Sequence, residues 1–419
     1  MLRSMYSGIS GMKNFQTKLD VIGNNIANVN TYGFKKGRVT FKDAMSQTIS
    51  GASAATQNRG GKNPTQVGLG STLATIDTIH EGSSTQTTNR QQDLAIQGDG
   101  YFVVKQGNAQ YYTRAGNLYL DNNGTLVNGD GYKVQAYQVN AAGQPLNTYG
   151  DVAINVNAVL PATPTKQIGL SGNFDKDAIV GTIVSQQMKV VDATGNEHVV
   201  DVYYKKTAKI DTNATPAVTN DTWKVYFGGV TKEQLETGDP TSPLTINFNA
   251  SGSVASTTPP NLTTSVNVNI GTGNIPVNIQ LDDIIATTGG ITAFSSPDGY
   301  TEGKLESFSI GQMGEINGVY SNGEVTTLGR LAIAKFSNTA GLSKAGGNLF
   351  QETINSGTAN INVAGDGRGT IASGALEMSN VDLSEEFTEM ITAQRGFQAN
   401  TRIITTSDEI LQELVNLKR

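Results

Sequence analysis

The chain has 419 residues, 30 Lys and Arg against 36 Asp and Glu, and a formal net charge of −6 with a pI near 5.1. This acidic balance gives no basic face for a phosphate backbone, so a nucleic-acid partner is excluded. Cysteine is absent, which excludes disulfides, Cys-zinc sites and a thiol nucleophile.

The length suffices for two or three domains with substantial cores. Charged residues are only 16% and glycines number 48, a texture of short strands and tight turns. No apolar run reaches the length of a membrane span, so no membrane insertion is expected. The N-terminal MLRSMYSGISGMKNFQ has no continuous apolar h-region, and a cleaved signal peptide is not expected.

The first element predicted is a helix. Met5, Met12, Leu19 and Ile26 fall one heptad apart, with Leu2, Ile9, Phe15 and Ile22 beside them. Such spacing puts an apolar stripe on one side of a helix. The helix runs into LDVIGNNIANVNTYGFKKG, where Asn24, Asn25, Asn28 and Asn30 place four amides in seven residues before Thr31-Tyr32-Gly33-Phe34. Asn tolerates the left-handed conformation that ends helices and bonds local backbone, so an Asn-rich C-cap is one reading. That cap alone does not explain four amides. Before Asp43 the one acidic residue is Asp20, against Arg3, Lys13, Lys18, Lys35, Lys36, Arg38 and Lys42. A removable transit peptide has that bias, but it would need no matching helix at the other end.

Residues 35–72 are polar and glycine-rich without clear period and read as an extended connector. From about 73, short β-rich runs alternate with Gly-Asp-Gly, Gly-Asn and Asn-Asn-Gly turns. Pro161 and Pro164 mark a domain crossing, followed by further strand pairs, with surface loops at 211–221 and 253–264. Hairpin texture resumes after Ser296-Pro297-Asp298-Gly299. The simplest arrangement is nested, since chain ends of domains often lie close together. Terminal helices at 1–34 and 374–419 form an inner coiled-coil domain, 73–160 and 292–373 a middle β domain, and 161–291 an inserted outer β domain. The fold class is mainly β with terminal helices.

At the C-terminus Leu383, Met390, Phe397, Ile404 and Leu411 are seven apart, with Phe387 and Leu414 on the same helix and Ile403, Ile410 and Leu417 flanking. DLSE, Asp382 to Glu385, reads as a capping box, and Glu385, Glu386 and Glu389 near the start with Lys418 and Arg419 at the end complement the helix dipole. A helix over 383–417 would be roughly 50 Å long. Core helices of an ordinary domain would share these features. Here both helices lie at the extreme ends of a β-rich chain, so their stripes can be buried only on each other or on neighbouring copies.

Chemistry is sparse. His80 and His198 stand far apart with no second ligand at metal spacing. LDNNGTL lacks the first carboxylate of a calcium loop and reads as a hairpin turn. GDGRGT at 365–370 has no strand-then-helix context for phosphate. No catalytic residue, cofactor or metal is expected. Three classes stay open: a self-assembling filament subunit, a β-rich adhesin or carbohydrate-binding module, and a β-rich hydrolase. The heptad-bearing termini speak for the first.

The stretch LDVIGNNIANVNTYGFKKG, the closing GALEMSNVDLSEEFTEMITAQRGFQANTRIITTSDEILQELVNL, and LAIQGDGYFVV with YTRAGNLYLDNNGTLVN together resemble the flagellar rod and hook proteins of bacteria. Within that family the size of the inserted region favours a hook subunit over the distal rod protein. The resemblance implies many copies in a tube outside the cell, in which Asn24, Asn25 and Asn28 would tie backbone between neighbouring subunits, with Gly33 allowing the turn and Phe34 anchoring it. It also implies type III export without a cleaved signal, and contacts with the distal rod, hook–filament junction, hook cap and export apparatus. The residues expected to carry assembly are Leu2, Met5, Ile9, Met12, Leu19, Ile22, Asn24, Asn25, Ile26, Asn28, Gly33 and Phe34. On the closing helix they are Leu383, Phe387, Met390, Phe397, Ile404, Leu411 and Leu414.

Overall fold

The computed structural model describes all residues except 1, 56–58, 141–143, 156–157, 211–219, 239–242, 259–265, 271–272 and 418–419, and leaves undescribed the side chains of residues 2, 258, 282, 283 and 414. The chain forms two compact units, one of Met1–Asn155, Phe308–Gly318 and Thr326–Arg419, the other of Val156–Ser307 and Val319–Val325.

In the first unit the N-terminal helix spans Leu2–Ala27 and the C-terminal helix Leu383–Asn416. They run antiparallel, since Gly8 lies by Ile404, Gly11 by Asn400 and Phe15 by Gly396, and Lys18 pairs with Glu389 at 3.2 Å. The C-terminal helix starts at Asp382, whose side chain accepts from the N–H groups of Ser384 and Glu385. Only this half of the expected capping box is present. The Glu385 carboxylate instead accepts from Lys36 Nζ at 2.7 Å, because a cation is a stronger partner for it than a backbone amide.

The stretch 35–72, expected to be a connector, holds two strand pairs among its described residues. Strand β1 (Gly37–Asp43) and, after β2 (Ser46–Ser50) and β3 (Thr65–Gly68), strand β4 (Ser71–Thr78) make two antiparallel pairs, β1 with β4 and β2 with β3. Thr, Ser and Gln make up most of β2, β3 and β4, and the alternation of Val39 and Phe41 in β1 spans only three residues, so little period-2 signal reaches a hydrophobicity reading. The β1–β4 pair lies along the N-terminal helix: Asn14 Nδ2 donates to Ser71 Oγ at 2.7 Å, and the rings of Phe15 and Phe41 sit 6.5 Å apart.

The body of this unit is an antiparallel sheet in which neighbouring strands run Val325–Lys335, Lys133–Val139, Tyr101–Gln106, Ala109–Thr113, Leu349–Gln351 and Ser343–Gly346. Tyr101, Tyr112, Phe336 and Phe350 form its core, with Tyr112 edge-on to Phe336 at 4.8 Å. Residues 119–120 and 126–127 pair across LDNNGTL, where Asp121 Oδ1 accepts from the N–H groups of Asn123 and Thr125. The loop is thus an Asx-type hairpin turn.

The second unit holds a five-stranded meander, Ile183–Val191, Glu197–Ala208, Asp221–Phe227, Leu244–Phe248 and Val254–Thr258. A four-stranded sheet accompanies it, in which Gln167–Asp175 runs parallel to Asn274–Thr287. Trp223, Phe174, Tyr204 and Phe248 fill the shared core. The loop expected at 253–264 contains the strand Val254–Thr258, where Val254 alone is apolar enough to signal it; residues 211–219 and 259–265 lie outside the described set. Alternation along 197–208 brings Lys206 onto the inward face, where Nζ donates to the carbonyls of Asp175 and Lys176 at 3.2 and 2.6 Å.

Candidate assembly site at the paired terminal helices

The helix pair is close because small residues line it. A Cβ on Gly396 would stand 2.5 Å from the Phe15 ring, so the phenyl group occupies the space a side chain would take. Met12 Sδ accepts from Thr401 Oγ1 at 3.3 Å. Of the expected stripe, Ile22 is buried, and Met5, Met12, Leu19, Ile26, Met390, Phe397, Ile404 and Leu411 are half-buried. Ile9, Leu383 and Phe387 are exposed, and the side chains of Leu2 and Leu414 lie outside the described residues.

The flanking row is exposed as well. Ile403, Ile410 and Leu417 stand 45%, 42% and 82% open; apart from this row, Ile391 is 59% open and Tyr6 of the N-terminal helix 68%. Met45, just before β2, and Ile49 in β2 are likewise exposed. One helix therefore covers part of the other's stripe and leaves a second apolar row in water. Exposed apolar rows of this kind, repeated along one helix, are candidates for interaction surfaces.

Below the helices the chain is tied by buried polar contacts. Within the chain, three of the four amides already have partners. Asn25, 2% exposed, donates from Nδ2 to the Gly37 carbonyl at 2.9 Å and to both carboxylate oxygens of Glu386 at 3.2 Å, while its Oδ1 accepts from Gly37 N–H at 2.9 Å. A buried amide so placed satisfies a strand end and an acid at once. Burial pushes the Glu386 carboxyl above its ordinary range, against the opposing bond from Asn25. Asn24 and Asn28 close the helix end: Asn28 Nδ2 donates to the Asn24 carbonyl at 2.9 Å and its Oδ1 accepts from Thr31 Oγ1 at 3.1 Å.

Gly33 has φ +70 and its N–H donates to the Glu377 carbonyl at 2.8 Å. A Cβ there would lie 2.5 Å from Ala115 N, so both conformation and space require glycine. The next residues enter a buried ionic node that the sequence did not reveal. Lys35 Nζ donates to Glu377 Oε1 and to the Glu81 carbonyl, each at 2.7 Å, and Arg114 Nη1 donates to Glu377 Oε2 at 3.4 Å. The side chains of Lys35, Glu377 and Arg114 are 0%, 1% and 3% exposed. Burial holds the Lys35 ammonium below its ordinary value despite the Glu377 partner. Phe34 is buried beside this node under Lys344, whose Nζ is 5.3 Å from the ring centre.

The node joins the segment after the first helix, the central sheet and the strand Ala375–Glu377 before the last helix. The helix pair is therefore anchored to the sheet by charge as well as by packing.

Sequence comparison meets this geometry segment by segment. Family models match as "Flagella basal body rod protein" over 5–35, "Flagellar hook protein FlgE/F/G D1 domain" over 95–174, "Flagellar basal body protein FlaE D2 domain" over 155–305 and "Flagellar basal body rod FlgEFG protein C-terminal" over 372–417. The chain is 41% identical to the flagellar hook protein FlgE of Borreliella burgdorferi, with all of both chains covered. It is also 41% identical to the flagellar basal-body rod protein FlgG of Bacillus subtilis, again with all of both covered. The chain belongs to the bacterial flagellar rod and hook family.

A solved hook protein, FlgE2 of Helicobacter pylori, matches at TM-score 0.52 and 15% identity, covering 70% of this chain and 100% of that one, and shares the fold. The rod and hook models that match the two ends, 5–35 and 372–417, meet in space at the helix pair, the amides and the node at Glu377. Among the described residues no group of three or more His, Asp or Glu side chains is placed to hold a metal, and no helix is long and apolar enough to cross a membrane.

Proposed function

We propose that the chain is a structural subunit of the flagellar hook, assembling in many copies into a flexible helical tube that carries torque from rod to filament. The observation that carries this reading is the apolar row of the C-terminal helix left open after the two terminal helices have paired. Neighbouring copies offer the same row, and head-to-tail contacts of this kind build a helical assembly. The expected assembly residues, with the exposed Ile391, Ile403 and Ile410, form the inner contacts in this proposal. The Thr- and Asn-rich second unit supplies weaker outer contacts, so subunits slide as the tube bends.

Several relatives carry the hook name, and their number favours hook over rod. The distal rod protein is the second reading, supported by the full-length 41% match to a rod protein. In the hook reading the role is structural, the protein works outside the cell after export without a cleaved signal, and it meets the distal rod, junction, cap and export proteins. A single chain leaves the Ile403, Ile410 and Leu417 row of the paired helices uncovered, so neighbouring copies supply its cover.

The test is complementation of a flagellated bacterium lacking its own hook protein. Curved hooks on isolated basal bodies are expected. Straight extensions alone would assign the chain to the rod, and no extension at all would contradict both readings.

A further inference from the structure

The buried node carries more positive than negative charge. Lys35 and Arg114 share the single carboxylate of Glu377, and Arg114 reaches it only at 3.4 Å. Arg114 Nε is buried without a partner, as is His80 Nε2. Buried guanidinium groups normally have their donors satisfied. Both residues line a cleft of about 500 Å³, along with Tyr101, Ser337 and the Lys335–Asp99 pair, which is held loosely at 3.8 Å. Arg114 lies over the Tyr101 ring at 5.1 Å, and Tyr101 OH is 2.7 Å from His80 Nδ1. The opposing acids, Asp99 and Glu81, are exposed.

We infer that this cleft is a carboxylate-binding site, with Arg114 as its charged floor and Lys335 and Ser337 as further donors. A carboxylate matches the planar fork of a guanidinium and would provide the second negative charge that the node lacks. His80 sits within the field of Lys35, Arg114 and Lys344; burial first, then these cations, holds its ring neutral with a pKa lowered to about 4. The ring is therefore a reporter for an arriving anion. The carboxylate comes either from a small free acid or from an Asp or Glu side chain of a neighbouring copy. The second source rests on the hook reading; the first does not.

Histidines number two, and His198, bonded to Asp192 at 3.0 Å, is an internal control. The experiment follows the ring resonances of histidine-labelled full chain during titration with sodium succinate, against sodium chloride at equal ionic strength. A saturable shift of His80 and none of His198 is expected with succinate alone. R114K should weaken binding about tenfold, since lysine keeps the charge and loses the fork, and D99N should tighten it. If R114K fails to fold, K335A leaves the Lys35–Glu377–Arg114 contacts intact and should bind severalfold weaker; unchanged affinity would count against the site. A His80 shift on assembly without added acid, and none with succinate on monomers, assigns the carboxylate to a neighbouring copy. Equal shifts with chloride, or no His80 shift under either condition, overturn the proposal. Failure to assemble would count against the hook reading and leave the monomer titration as a test of the cleft.

Discussion

Replacing Glu377 by Gln removes a negative charge and little else. Lys35 Nζ keeps its 2.7 Å bond to the Glu81 carbonyl and can donate to the glutamine oxygen. What remains is two cations, 0% and 3% exposed, with no carboxylate between them. Breaking a buried ion pair from one side costs about 3–5 kcal/mol, a large part of the roughly 5–15 kcal/mol that holds a domain together. The loss should be confined to the first unit.

The sequence supplies a control, because its single tryptophan, Trp223, is fully buried in the second unit. Amide exchange of Val103 and Val104 in E377Q should therefore accelerate by about a hundredfold or more, as 3 kcal/mol requires. The urea transition seen by Trp223 fluorescence should stay where it is. The double variant K35M/E377Q, with one cation fewer, should recover part of the loss. Acceleration below about fivefold, or a Trp223 transition that moves in step, would refute the charge argument.

Other perturbations test neighbouring parts. Phe397→Asp puts a charge into the half-buried stripe and forfeits up to the roughly 1.5–3 kcal/mol that burying a Phe contributes; sedimentation should show no assembly, with Trp223 fluorescence unchanged. Gly396→Ala gains about 1 kcal/mol of helix propensity, yet its methyl group meets Phe15 at 2.5 Å, so overpacking at a typical 1–3 kcal/mol should cancel or reverse the gain. Gly23→Ala, with nothing within 4 Å, should keep that gain, and thermal disassembly temperatures compare the two. His80, depressed to about 4 from 6.5, is neutral in the folded state, so it contributes stability above pH 6.5 that is lost as pH falls through 4. Exchange rates of the Tyr101 strand should rise over that window, and less so in His80→Gln.

Much of this architecture was legible in the sequence for a physical reason. Helices announce themselves through periodic apolar spacing, and the rows at Met5 to Ile26 and Leu383 to Leu411 did so at both ends. Turns announce themselves through Asx and Gly chemistry, as at Asp121 and Gly124. The β1–β4 pair escaped because the alternation of Val39 and Phe41 is too short to signal a strand and Ser and Thr break that of β4. Asn25 was visible as an anomaly, but its partners Gly37 and Glu386 were not, since a buried amide is defined by what faces it. The ionic node was hidden for the same reason: Lys35 and Glu377 lie 342 positions apart. What Gly11 and Gly396 are for was likewise hidden, since Asn400 and Phe15, which fill their space, face them from the other helix.

The central claim is that the paired ends build the tube. Its most direct test is negative-stain electron microscopy of the purified chain, concentrated and salted out, beside a version lacking residues 1–34. Curved tubes from the full chain, and none from the truncated chain with its Trp223 unit still folded, are the predicted result. Tubes that form equally well without the first 34 residues would contradict it.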